Sequence, residues 1–163
     1  MKRYEFELLA DYFQFYLQDE EVEGDLSERW TEEATARMLA VTPGTVGVGT
    51  LRNVEVDVAV EVHEAEPQLH LAGWDHVVET GLAVTSGRIV VAGCTDYFPD
   101  AARIEVEPGH YRVRLCSSGL ETVTAEWEDA DDLYVVQLWP GDGDETRLLK
   151  QYVVKSSRGW ASL

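Results

Sequence analysis

Residues 54–63 read VEVDVAVEVH, and their strict alternation decides the fold class. Val54, Val56, Val58, Val60 and Val62 point one way; Glu55, Asp57, Ala59, Glu61 and His63 point the other. That is the period-two pattern of a strand with one buried face, and β-branched valine reinforces it. The same period runs outward along the chain. RYEFELL (3–9) sets Tyr4, Phe6 and Leu8 on one side, and DYFQFYLQ (11–18) carries aromatics on both, which predicts a strand covered on both faces. HVVETGLAV (76–84) and RIVVAG (88–93) predict two strands with Ser86-Gly87 turning between them. DLYVVQLW (132–139) is apolar on both faces and reads as a central strand. TRLLKQYVVK (146–155), after the turn-rich PGDGDE, is expected to be its antiparallel neighbour.

RIEVEPGHYRVRL (103–115) reads as a hairpin turned by Pro108-Gly109, with Ile104 and Val106 facing inward on one arm and Tyr111, Val113 and Leu115 on the other. A two-residue loop would set Glu105 opposite Arg112. TEEATARMLA (31–40) is the one helix: Thr31 is an N-cap, Glu32 and Glu33 sit where the helix dipole favours anions, and Pro43-Gly44 stops it. With no internal repeat and no low-complexity tract, about eight to ten short strands and one short helix near 31–40 predict an all-β fold. The expected architecture is an antiparallel β-sandwich or flattened barrel in a single domain spanning 1–163.

The chain has 31 acidic residues against 13 basic ones, a net charge of −18. Such a field repels nucleic-acid phosphate and anionic lipid and favours encounter with a basic protein partner. An acidic surface common to the source's proteins is the plainer alternative. Cys94 and Cys116 are too few for a disulfide framework and form no C-x-x-C, so reduced thiols and a cytoplasmic setting are expected. Acids at Glu5, Glu7 and Asp11 interrupt any signal-peptide core, and no stretch is apolar enough for a membrane span.

Residues 18–33, QDEEVEGDLSERWTEE, hold eight carboxylates and one arginine. Asp19, Glu20, Glu21, Glu23 and Asp25 beside Trp30 are the first candidate partner-binding group, since interface hot spots pair an aromatic anchor with a charged rim. Trp127 with Asp129, Asp131 and Asp132 is the second, and Trp139 before a turn is a further exposed-aromatic candidate. His63, His70 and His76, with Asp75 and Glu79 nearby, are the one local grouping with zinc-ligand types, though their spacing matches no metal motif. Residues 129–132 and 141–145 offer hard oxygens but lack the EF-hand template. No nucleophile elbow occurs, and GTVGVGT (44–50 region) leads into a strand, not a helix N-terminus. No catalytic residue and no cofactor are therefore assigned. Arg112 and Arg114, with Arg103 near them in the hairpin, read as an internal salt-bridge network, with an anion pocket as the alternative.

DYFQFYLQDE, then WTEEA, then LRN running into the valine strand, then PGHYRVRL, resembles the competence protein ComJ family, known as inhibitors of a DNA-entry nuclease. Tyr12, Gln14, Phe15, Trp30, Thr31, Glu33, Ala34, Arg52, Asn53, Pro108, Gly109 and Tyr111 carry it, in matching order. Past Leu120 the chain departs from that pattern and looks like uncharacterised bacterial β-proteins. The resemblance implies an all-β binding protein that acts on another protein, with a nuclease as the partner class. A metal-dependent enzyme or ligand binder using the three histidines, and a structural domain with an acidic surface, are the other readings the residues leave open.

Overall fold

The computed structural model describes residues 1–153. Among them the strands are β1 (Lys2–Leu9), β2 (Gln14–Asp19), β3 (Leu39–Thr42), β4 (Thr45–Gly49), β5 (Glu55–Val62) and β6 (His76–Val84). They continue with β7 (Arg88–Gly93), β8 (Ala102–Glu105), β9 (Gly109–Ser118), β10 (Leu133–Pro140) and β11 (Arg147–Lys150), and the α-helix α1 spans Glu32–Arg37. They form two sheets, β1-β5-β10-β9-β6-β11 and β3-β4-β2-β7-β8, which face each other as a sandwich and do not close into a barrel. Pairing is antiparallel except between β5 and β10, among the described residues.

The core lies where the alternation places it. Val56, Val58 and Val60 meet Phe15, Leu17, Val46 and Ile89 across the gap, all buried. Only half of the expected solvent face of β5 is wet, however: Glu55 and Asp57 are exposed while Ala59 and Glu61 are buried. Leu69 and Trp74 pack over Ala59, Val77, Cys116 and Val135, so the segment between β5 and β6 forms a lid on the outer face of the larger sheet.

Several local expectations are corrected. The two Pro-Gly pairs exchange roles. Pro43-Gly44 turns the tight β3–β4 hairpin, with Thr42 opposite Thr45 and Gly44 at φ 73°. Pro108-Gly109 instead carries the chain between sheets: β8 pairs with β7, and β9 lies between β6 and β10. Glu105 accordingly faces Arg88, not Arg112. Ser86-Gly87 likewise links strands of different sheets. A turn and a period of two fix where a strand ends and which side it buries, but both are the same for a hairpin and for an arch between sheets.

β11 adds to β6 at the sheet edge and not to β10, whose two sides are taken by β5 and β9. Val154 and Lys155 of that expected strand lie outside the described residues. The helix is shorter than 31–40. Its Thr31 cap is as expected, with Thr31 Oγ1 accepting from the Ala34 N–H at 3.2 Å. Met38 then turns left-handed (φ 59°), and Leu39 and Ala40, both fully buried, enter β3.

Candidate functional site

The outer face of the smaller sheet carries a deep concavity. Phe15 and Leu17 point into the core, so Gln14, Tyr16 and Gln18 point outward, opposite Gly49, Gly47 and Thr45 of β4. The two glycines let other chain segments lie directly on this face. A Cβ at Gly47 would fall 2.7 Å from Leu26 Cδ1 and 3.0 Å from Trp30 Cζ2, and one at Gly49 would fall 3.1 Å from Met38 Cα. Leu26, Trp30, Ala34, Ala40 and Tyr16 pack there as a small cluster, and Trp30 Nε1 donates to Gln14 Oε1 at 3.0 Å. The acidic stretch is therefore a roof over the sheet, with Trp30 half-buried beneath it.

Between this roof and the Tyr12-Phe13 turn runs a groove of about 1130 Å³. Phe13, Tyr16, Trp30 and Phe98 line it, and Glu23, Asp25 and Glu32 come from its roof side. Gly24, at φ 46°, presses the backbone between Glu23 and Asp25 against the sheet: its Cβ position lies 2.1 Å from Thr45 Oγ1. Thr45 Oγ1 and Tyr152 Oη, both at this groove, are buried without a hydrogen-bond partner among the described residues. The Ser27 N–H, 2.9 Å from Asp25 Oδ1, holds the Asp25 carboxyl below its ordinary range, so it is charged at neutral pH.

The candidate acids separate into three groups. Glu23 and Asp25 stand at the groove with Trp30. Glu20 and Asp19 turn inward or to partners on the protein. Asp19 is 1% exposed. Burial pushes its carboxyl up, but hydrogen bonds from Ser86, Thr85 and the Glu21 backbone outweigh that and leave it below its ordinary value. Asp19 thus brackets the β6–β7 turn, with its lone pairs used inside the protein. Glu20 pairs with Arg103 at 2.9 Å and Arg88 at 3.4 Å, and Glu21 is exposed. In the second group Trp127, Asp129 and Asp131 are exposed, but Asp132 is corrected in the same way: it is 2% exposed and paired with Arg52. Trp139 is buried too, under the Arg114 guanidinium at 4.9 Å.

The three histidines do not converge. His76 Nε2 lies 2.7 Å from the Arg37 carbonyl and Nδ1 accepts from the Tyr152 N–H at 3.0 Å, so both ring nitrogens are occupied. Burial pushes the His76 pKa down and keeps the ring neutral. His63 sits 2.9 Å from Glu61, and His70 is exposed. Among the described residues no group of three or more His, Cys, Asp or Glu side chains is placed to hold a metal ion. Burial drives the Cys116 thiol up to about 12, and burial with Asp11 and Asp96 raises Cys94, which leaves both poor nucleophiles at neutral pH.

Arg112 and Arg114 are buried within the larger sheet's outer face, and Arg103 belongs to the other sheet. Arg3, Glu61, Gln137, Arg114 and Glu79 stand side by side across five adjacent strands. Arg114 donates to Glu79 at 2.8 Å and Glu66 at 3.0 Å, so its charge is neutralised from within and offers nothing to an outside anion.

No family model matches this chain, and no curated protein matches it. Among solved structures, the crystal structure of ComJ, inhibitor of the DNA degrading activity of NucA, from Bacillus subtilis, superposes with a TM-score of 0.65. The match covers 86% of this chain and 96% of that one at 16% identity. The chain shares its fold with ComJ. A second structure, described as Crocagin biosynthetic gene J, superposes at TM-score 0.57 over 87% of this chain and 100% of that one, at 18% identity.

The residues that carry the ComJ resemblance turn out to hold the framework. Gln14 binds Trp30, Thr31 caps α1, Asn53 Oδ1 accepts from the Tyr12 N–H at 2.8 Å, and Arg52 pairs with Asp132. Tyr111 Oη donates to the Glu107 carbonyl at the crossing between sheets. The groove itself was not legible in the same way. Phe13, Thr45 and Phe98 are ordinary residues in the sequence, and the one available signal was the alternation of Gly47 and Gly49 on one strand face.

Proposed function

We propose that this chain is a non-enzymatic binding protein of inhibitor or immunity type, and that its groove receives a basic segment of a protein partner, with a nuclease as the partner class. The observation that carries this reading is the groove: aromatic walls from Tyr16, Trp30 and Phe98 under the carboxylates of Glu23, Asp25 and Glu32. Cationic side chains gain from both, through ring faces and through charge. A nuclease cleft is cationic because it holds phosphate, so a rigid acidic surface on a chain of net charge −18 competes for it and associates fast. The fold likeness to ComJ, named as an inhibitor of a DNA-degrading activity, supports the same class. The free thiols of Cys94 and Cys116 fit a reducing, cytoplasmic setting. No helix among the described residues is long and apolar enough to cross a membrane.

The test is titration of the purified chain into DNA degradation by a nuclease of the NucA kind, at low and high salt. Inhibition that weakens with salt, and that falls about tenfold or more in the E23Q/D25N/E32Q variant, is the expected result. Absence of both complex and inhibition at every ionic strength would sink the proposal.

A further inference from the structure

Tyr12, Tyr97 and Trp127 stand on three separate loops and are 70%, 71% and 68% exposed. Each presents a large ring to solvent, where burial returns nothing. Hydrogen bonds nonetheless tie the three loops together at one end of the sandwich. The Tyr12 N–H donates to Asn53 Oδ1 at 2.8 Å, and the Asn53 N–H donates to the Glu126 carbonyl at 2.8 Å. One residue thus positions both the Tyr12 turn and the Trp127 loop. The Thr95 hydroxyl donates to Asp11 Oδ2 at 3.1 Å, joining the Tyr97 loop to the same turn.

The backbone here is strained. Tyr12 and Phe13 are both left-handed, at φ 58° and 61°, which costs residues with a Cβ about 1–2 kcal/mol each. What the fold obtains is Phe13 half-buried at the groove and Tyr12 held out at its mouth. Residues 94–101 and 119–132 contribute Asp96, Asp100, Glu126, Glu128, Asp129 and Asp131 and no lysine or arginine of their own, while Arg103 reaches in to the Phe98 and Ala101 carbonyls and Arg52 to the Glu128 carbonyl.

We propose that Tyr12, Tyr97 and Trp127 form a second docking surface, continuous with the groove through Tyr12, whose occupant is an arginine-bearing face of the partner. It rests on the proposed function in one respect, that the partner is a basic protein. Tyrosine and tryptophan supply contact area at low entropic cost, and their faces accept a guanidinium plane. This chain uses that contact internally, with Arg103 5.2 Å over Phe98 and Arg114 4.9 Å over Trp139. The surrounding carboxylates provide the opposite charge and exclude an acidic or nucleic-acid partner.

The experiment applies two probes to the full chain, the purified NucA-type nuclease and an oligoarginine peptide, with binding mapped by amide and indole NMR. Expected are shifts at Tyr12, Asn53, Tyr97 and Trp127, and a loss of about fivefold to tenfold in affinity for each of Tyr12→Ala, Tyr97→Ala and Trp127→Ala. The thermal midpoint should stay unchanged in all three, since the rings are exposed. Oligolysine should bind more weakly than oligoarginine of the same length. Shifts confined to Glu23, Asp25 and Glu32, or three variants with unaltered affinity for oligoarginine, overturn the proposal. If oligoarginine maps to the three rings while the nuclease produces no shift, the surface stands and the nuclease reading falls. If the nuclease binds through the groove rim alone, the reverse holds.

Discussion

Arg52 and Asp132 form an ion pair sealed inside the protein, joining two loops far apart in sequence. Arg52 Nε and Nη2 lie 2.8 and 2.7 Å from Asp132 Oδ1, and the two side chains are 8% and 0% exposed. Asp132 Oδ2 accepts from the Tyr134 hydroxyl at 2.8 Å, whose oxygen accepts from the Leu51 N–H at 3.0 Å. Arg52 Nη1 also donates to the Glu128 carbonyl at 3.1 Å. With every member partnered, the network is stable as a unit and intolerant of partial removal. Asp132→Ala should strand a buried guanidinium and cost about 3–5 kcal/mol, read from the urea midpoint. Replacing both partners, Arg52→Met with Asp132→Leu, should recover a substantial part of that loss.

That pair also shows how far the sequence could be read. Alternation in residues 54–63 and its echoes along the chain specify strands and their buried faces, because side-chain direction follows locally from the backbone. Which strand lies beside which is a non-local matter. β5 pairs in parallel with β10, from more than seventy residues away, and nothing within either strand records it. Asp132 reads in the sequence as one of the candidate partner-binding acids beside Trp127 because its partner Arg52 is remote in sequence. Asp19 is a parallel case, its Thr85 and Ser86 partners being equally remote. Residues 18–33 form the roof of the groove, but a folding chain assigns each carboxylate inward or outward only once the turns around it are set.

Gly24 should be irreplaceable at the groove. Its φ of 46° penalises any side chain, and a Cβ would stand 2.1 Å from Thr45 Oγ1 and 2.9 Å from Gln18 Cδ. Gly24→Ala is expected to cost about 1–3 kcal/mol and to shift the Glu23 and Asp25 amides, read by denaturation and NMR. Adding Thr45→Ala removes the closest clash but leaves the backbone penalty, so rescue should be partial. Full rescue would mean that the left-handed conformation costs nothing here.

Thr45 offers the opposite test. Its buried hydroxyl lacks a partner among the described residues, and an unsatisfied buried hydroxyl costs about 1–3 kcal/mol. Thr45→Val keeps the shape and removes the polar atom, so stability should be unchanged or raised by about 1 kcal/mol. If the hydroxyl meets a partner's polar group in the complex, the same variant should weaken partner binding while raising the thermal midpoint. A variant that lowers both would assign the hydroxyl a structural bond within the free protein.

His110 gives the fold a titratable clasp. Its Nδ1 lies 2.6 Å from the Gly141 carbonyl and its Nε2 lies 2.6 Å from Asp144 Oδ1, two acceptors that only the doubly protonated ring satisfies. The Gly141 carbonyl raises its pKa above the ordinary 6.5, partial burial works against this, and Asp144 and Asp142 add to the rise. Arg112 Nη1 holds the same segment through the Gly143 and Glu145 carbonyls at 3.0 and 3.1 Å. Because the folded pKa lies above the unfolded value, the stabilisation is fully present below the unfolded pKa and is lost as pH rises through the folded one. Ring titration by NMR should place His110 above 6.5, and amide exchange in residues 141–145 should quicken through that same transition. Arg112 does not titrate in this range, so the segment should loosen without detaching. His110→Gln supplies one permanent donor and no charge change, and it should flatten the exchange profile; a profile that keeps its step in this variant would place the clasp on another group.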